Sequence, residues 1–239
     1  MKERLQKVIA RAGLMSRRQA EEALREGRVS VDGVPAHLGQ SADPETAEVR
    51  VDGVRLTSER RSVTLMLNKP CGYICSLKDP QGRRLASELI PRSYGRLFHV
   101  GRLDYNTEGL LLLTNDGELA QHLMHPRHHV PKTYLVKVRG ELTAARRSHL
   151  EQGLELDDGP TAPARVAAVR RSGHNTWFEL TLREGRNRQV RRMCEAVELP
   201  VVRLKRIALG PLLLGELSSG KFRELGVVEL RDLKKAVGL

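Results

Sequence analysis

HVGRLDYNTEGLLLLTNDGE, residues 99–118, is the stretch whose reading decides the fold. A short approach, Phe98-His99-Val100, enters Gly101-Arg102-Leu103-Asp104. A polar turn follows, and Gly109-Leu110-Leu111-Leu112-Leu113-Thr114 returns toward the interior. An unbroken apolar run of this length, bounded by turn residues, predicts a strand buried on both faces. Asp104 then sits on a loop that rigid interior holds from both sides, the kind of position where catalytic groups collect. An ordinary turn aspartate is the plainer reading of the spacing alone.

Composition narrows the partner. At 239 residues the chain can bury a substantial core and hold one large domain or two smaller ones. It has no run of eighteen apolar residues, so no membrane-spanning helix is expected. Its first residues, MKERLQKVIARAGLMSRRQAEEA, are charged and lack an apolar signal core, which argues against export. Cys71, Cys75 and Cys194 are too few and too oddly spaced for a disulfide framework, so a reducing cytoplasm is expected. A net charge of +12 points to a polyanion. Residues 1–60 hold 11 Lys and Arg against 10 Asp and Glu, so nearly all of the excess lies in the larger remainder. With aromatics at 3%, a multi-base stacking platform is excluded. Nucleic acid bound by shape, charge and one or two stacked bases fits better.

Working outward toward the amino terminus, Leu5, Val8, Ile9 and Ala12 recur at helical spacing, and Gly13 ends that helix. Ser16 caps a second helix, with Gln19 three residues on as its capping-box partner, and Gly27 stops it. Val29-Ser30-Val31 with Asp32-Gly33, and Val49-Arg50-Val51 with Asp52-Gly53, read as strands closed by hairpin turns. Arg11, Arg17, Arg18, Arg25 and Arg28 could form one basic face for phosphates, although Glu21, Glu22 and Glu26 could equally balance a solvated surface. Thr57 to Ser62 is polar and without periodicity, and reads as a linker. Val63 to Leu67 begins the next domain as a strand ending at Asn68-Lys69-Pro70, and a short helix is expected between Gly82 and Pro91.

Toward the carboxyl terminus, Glu118–Met124 is a short helix broken by Pro126. His122, His125, His128 and His129 straddle that break with no carboxylate or cysteine at ligand spacing, so a basic surface toward RNA is preferred over a metal site. Lys132-Thr133-Tyr134-Leu135-Val136-Lys137-Val138 alternates as a half-buried strand should. Residues 143–152 read as a helix, and Pro163–Arg170 and Thr176–Leu182 as strands. From Asn187 to Val197 a helix would bury Val190, Met193, Cys194 and Val197 and turn Arg188, Arg191 and Arg192 outward. No acidic residue is interleaved until Glu195, so these arginines are expected to be free for an external anion. Val201–Leu214 is further apolar strand. Gly215 to Lys221 has the spacing of a phosphate-binding loop, but Phe222 stands where a magnesium-holding hydroxyl is needed, so nucleotide hydrolysis is rejected. That stretch is expected to be a turn before a last helix, Leu230–Val237.

GRLDYNTEGLLLLTNDGEL resembles the catalytic motif of the RsuA/RluB-type ribosomal pseudouridine synthases, over about twenty contiguous residues. NKPCGYICS resembles the family's entry strand, KTYLVKV its second motif, and REGRNRQVRRM its third. SRRQAEEALREGRVSVDG is similar to the S-four RNA-binding domain. The resemblance implies an α+β protein: a small helical and β RNA-binding domain over residues 1–60, then a mixed, mainly antiparallel-sheet catalytic domain over 61–239. It implies isomerisation of one uridine in ribosomal RNA, with Asp104 as nucleophile, Tyr134 stacking on the target base and Arg191 pairing with Asp104. Arg102, Lys132, Arg186, Arg188 and Arg192 would contact RNA together with the five amino-terminal arginines. No cofactor and no metal are implied. The partner would be ribosomal RNA, as free RNA or an assembly intermediate, with the large subunit favoured by LMHP after the central motif although RHHVPKTY also resembles the small-subunit enzyme, and the protein would be a monomer away from membranes. The alternative from another class is a non-catalytic RNA-binding or ribosome-assembly protein, which would not require GRLD, KTY and QVRR together.

Overall fold

The computed structural model describes residues 2–56 and 61–239. Two compact units are formed, one by Met1–Val63 with the segments Arg92–Leu97 and Asn115–Gly117, the other by Thr64–Pro91, Phe98–Thr114 and Glu118–Leu239. Of the linker expected at 57–62, residues 57–60 lie outside the described residues.

In the smaller unit the helix Leu5–Arg11 buries Leu5, Val8 and Ile9. The helix Arg17–Arg25 opens with the expected reciprocal cap, in which the Gln19 N–H donates to Ser16 Oγ and the Ser16 N–H donates to the Gln19 side chain. Leu5 and Ile9 of the first helix and Ala20, Ala23 and Leu24 of the second pack against Val29, Val49 and Val51 of a four-stranded antiparallel sheet. Its two tight turns have positive φ at Asp32 and Gly33 and at Asp52 and Gly53, the geometry that lets a two-residue hairpin follow the strand twist.

The larger unit is built on a nine-stranded sheet. Its main path runs Arg165–Ser172, Asn175–Leu182, Lys132–Arg139, Val201–Leu209, Glu108–Thr114, Thr64–Lys69, Phe222–Glu224. Every pairing is antiparallel except that of Glu108–Thr114 with Val201–Leu209. The central strand Glu108–Thr114 is buried from Gly109 to Thr114, as its unbroken apolar run requires. Its far end is closed by Thr64 and Thr114, whose hydroxyls satisfy each other across the ladder at 3.0 Å. Gly109 is obligatory: φ is +105°, and a Cβ there would lie 2.2 Å from the Arg206 carbonyl oxygen of the neighbouring strand.

Three expectations shift. The helix between 82 and 91 is a single 3-10 turn, Ala86–Leu89. The apolar run 201–214 divides at Gly210 (φ +55°) into Val201–Leu209 and Leu212–Leu213, paired with each other. The stretch after Lys221 is not a bare turn: Phe222–Glu224 adds an edge strand to Leu65–Leu67, and the last helix starts earlier, at Val227, and ends at Lys235. Three residues at a sheet edge are too few for periodicity to reveal.

Candidate active site

The loop bearing Asp104 hangs between the strands Phe98–Val100 and Glu108–Thr114, which pair with each other. Its backbone is tied at several points. The Thr107 N–H donates to the Asp104 carbonyl at 3.0 Å, closing the turn. The Gly72 N–H donates to the Tyr105 carbonyl at 3.0 Å, and the Leu103 N–H donates to Cys75 Sγ at 3.4 Å. The 70–75 turn therefore forms the underside of the loop. Lys69 fixes that turn in place: fully buried, it donates from Nζ to the carbonyls of Pro70 at 3.0 Å and Tyr73 at 2.8 Å. Burial pushes its ammonium pKa down, opposed by the charges of Cys75, Cys71, Asp104 and Glu108 around it. Asp104 itself is half-buried.

Glu108 opens the central strand and is clamped by Arg203, whose Nε and Nη2 donate to its two oxygens at 3.1 and 2.9 Å. That fork holds its carboxyl below the usual range, outweighing burial.

Tyr134 lies on Lys132–Arg139, opposite Arg206 on one side and Leu180 on the other. A register shift falls between Thr133 and Tyr134, the kind of irregularity that re-aims a side chain beside a site. Tyr134 is half-buried against the cluster that contains Val136, Phe178, Val190 and Met193.

Arg191 reaches the same loop. Its helix, Gln189–Ala196, buries Val190, Met193 and Cys194 as the spacing predicts. The Nη2 of Arg191 donates to the Asn106 carbonyl at 2.8 Å, two residues beyond Asp104. Among the described residues no ion pair joins Arg191 to Asp104, so the guanidinium is brought to the loop by its backbone.

The other arginines of this stretch correct the expectation that they are free. The helix begins only at Gln189, and the residues before it fold back on the Glu155–Leu156/Gly159–Pro160 hairpin. Arg192 bonds Asp157 and, at 2.8 Å, Asp158. Arg186 bonds Asp158 at 3.2 Å, Glu184 at 3.5 Å and the carbonyls of Asp158, Gly159 and Pro160. Asp157 and Asp158 come from about thirty residues upstream, where a local charge pattern cannot register them, while Glu184 stands two residues before Arg186. Lys132 is also turned inward, donating from Nζ to the Val130 carbonyl at 2.9 Å, with burial pushing its pKa down. Arg188 differs. It caps the helix in the left-handed region (φ +48°), is exposed, and has no protein partner among the described residues. Arg102 is likewise exposed and unpartnered.

In the amino-terminal unit Arg11 pairs with Glu3 at 2.7 Å, Arg25 with Glu22 at 3.0 Å, and Arg28 with Glu26 and Asp52. Arg17 and Arg18 are exposed without such partners among the described residues. The predicted basic face is therefore reduced to these two free cations. The histidines stack rather than assemble: His122 and His128 have ring centroids 5.1 Å apart, and the described residues contain no group of three or more candidate metal ligands.

Sequence reasoning passed over Lys69, Arg203 and Arg206. The signal was present: Lys69 ends an apolar strand, and Arg206 interrupts one, and a charge inside a buried run needs a purpose.

A family model described as RNA pseudouridylate synthase matches residues 63–196, and one described as S4 domain matches residues 3–44. The chain is 48% identical over 241 residues to an uncharacterized RNA pseudouridine synthase of Aquifex aeolicus, covering 100% of this chain and 96% of that one. It is 43% identical to the ribosomal large subunit pseudouridine synthase B of Bacillus subtilis, covering 97% and 96% respectively. A crystal structure of a pseudouridylate synthase superposes with a TM-score of 0.69 at 33% identity, covering 96% of this chain and 99% of the other.

Proposed function

The chain belongs to the RNA pseudouridylate synthase family and is an isomerase, and on that premise we propose that it converts one uridine of ribosomal RNA to pseudouridine with Asp104 as nucleophile. Large-subunit RNA is the favoured substrate, in keeping with the name of the Bacillus subtilis relative. The observation that carries the reading is the Asp104 loop, held between two paired strands and from beneath by Cys75, whose turn Lys69 fixes.

The reaction breaks the bond between uracil N1 and the ribose, turns the base, and rejoins the ribose through C5, the C5 proton being lost and N1 gaining one. A carboxylate can hold the sugar or base covalently while the ring turns. The uridine must first leave its stack, and Tyr134 receives it by stacking. Arg191 holds the loop through Asn106, and closing the remaining gap to Asp104 when RNA binds would orient the carboxylate. Of the arginines expected to contact RNA, Arg17, Arg18, Arg102 and Arg188 keep exposed guanidiniums without a protein partner among the described residues, open to phosphates. No helix is long and apolar enough to cross a membrane, and action on ribosomal RNA suits the cytoplasm.

The test maps pseudouridine across ribosomal RNA from cells with and without this protein. One large-subunit site should lose the modification. It should return with the parent chain and not with Asp104→Asn. Restoration by the asparagine variant would end the nucleophile assignment.

A further inference from the structure

Arg206 is 3% exposed, yet its guanidinium has one protein acceptor only: Nε donates to the Leu110 carbonyl at 2.7 Å. Nη2 is fully enclosed without a partner, and no carboxylate pairs with the residue among the described residues. A buried cation with idle donors costs several kcal/mol unless something supplies acceptors. Its surroundings say what that is. Arg206 is the cross-strand partner of Tyr134, so the two side chains share one face of the sheet. Its other neighbour, Gly109, contributes no side chain. That next strand over leaves the Asp104 loop at Glu108, beside Lys205, and continues past Arg206 to Leu110, whose carbonyl takes the Nε bond. The strand of Arg206 thus runs between the strand of Tyr134 and the strand that leaves the Asp104 loop.

We propose that Arg206 reads the carbonyl edge of the target uracil and so determines specificity for uridine. This rests on the assignment of Asp104 and Tyr134 above. A guanidinium carries donors only, and uracil presents carbonyl oxygens at both position 2 and position 4. The half-turn about the N3–C6 axis that pseudouridine formation demands makes those two oxygens exchange places. One fixed donor is therefore satisfied before and after the turn. Cytosine carries an amine at position 4 and would set donor against donor at one stage or the other, which a hydrogen-bonding site rejects strongly.

The experiment is single-turnover kinetics on a ribosomal RNA fragment carrying uridine, 2-thiouridine or 4-thiouridine at the mapped position, sulfur being a weak acceptor. The parent enzyme is compared with Arg206→Lys and Arg206→Gln, taken in parallel so that one folded variant suffices. At least one thio substitution should slow the parent by about tenfold to a hundredfold. The variants should lose a comparable factor on uridine and little more on that thio substrate, because both changes remove the same bond. A folded parent indifferent to both thio substrates overturns the proposal. So do losses that multiply in full, which would make Arg206 a support for the loop. Absence of turnover on uridine itself would instead remove the synthase reading.

Discussion

Two arginine-rich stretches that look alike in the sequence do different work. Arg17 and Arg18 open a helix in the amino-terminal unit and remain exposed without partners among the described residues. Arg186 and Arg192 flank a helix start in the catalytic unit and are consumed by Asp157, Asp158 and Glu184. The first pair keeps its charge exposed to solvent. The second locks a hairpin against the helix whose Arg191 holds the Asp104 loop. Arginine density therefore marks a functional region without saying which guanidinium touches RNA.

The comparison is sharpest at the chemistry itself, where neither stretch should substitute for the carboxylate. Asp104→Asn keeps the shape and removes the proposed nucleophile, so turnover should fall by about a thousandfold or more. RNA affinity and melting temperature should stay at parental values. Turnover within tenfold of the parent, with contaminating synthase excluded, would show that another group does the work.

Arg191→Lys tests the role of the catalytic stretch next. Lysine offers a point charge where a planar fork now reaches the Asn106 carbonyl. Single-turnover rate should drop by about ten- to a hundredfold while RNA affinity changes by less than threefold, consistent with losing one charge-assisted bond in the reacting state. Equal losses in rate and affinity would place Arg191 on the RNA backbone.

The two stretches should then separate by salt. Arg17→Ala with Arg18→Ala should lower the slope of log affinity against log salt by about 1.5, two phosphate contacts being lost. Arg192→Ala should leave that slope unchanged and lower thermal stability by about 1 kcal/mol, the upper end for a partly exposed pair. If Arg192→Ala changes the slope as much as the amino-terminal pair does, its ion pairs open when RNA binds, and the contrast collapses.

The smallest effect comes from a pair outside both stretches. Arg223 forks Glu229 at 2.7 Å on each oxygen and, outweighing its burial, pulls its pKa down to about 2. A carboxylate with a depressed folded pKa lends stability above its unfolded value of about 4.5, and that stability is lost as pH falls toward 2. Glu229→Gln should cost about 1 kcal/mol or less at pH 7 and nothing near pH 2. Equal melting of parent and variant throughout would show that the fork adds nothing.

Local chemistry was enough for much of this protein. Capping box, apolar spacing and turn residues located the amino-terminal helices and hairpins, because those signals act within a few residues. The run Gly109 to Thr114 identified the central strand, since only a strand buried on both faces tolerates it. The motif strings carried the family. Tertiary structure decided what depends on residues far apart in the chain. It set Arg192 against Asp157 and Asp158, 35 and 34 residues away, and Arg191 against Asn106, 85 away. It also enclosed Lys69 in the turn beneath the Asp104 loop and Arg206 opposite Tyr134. Charge pairing is set by distance in space, and a sequence window reads only distance along the chain.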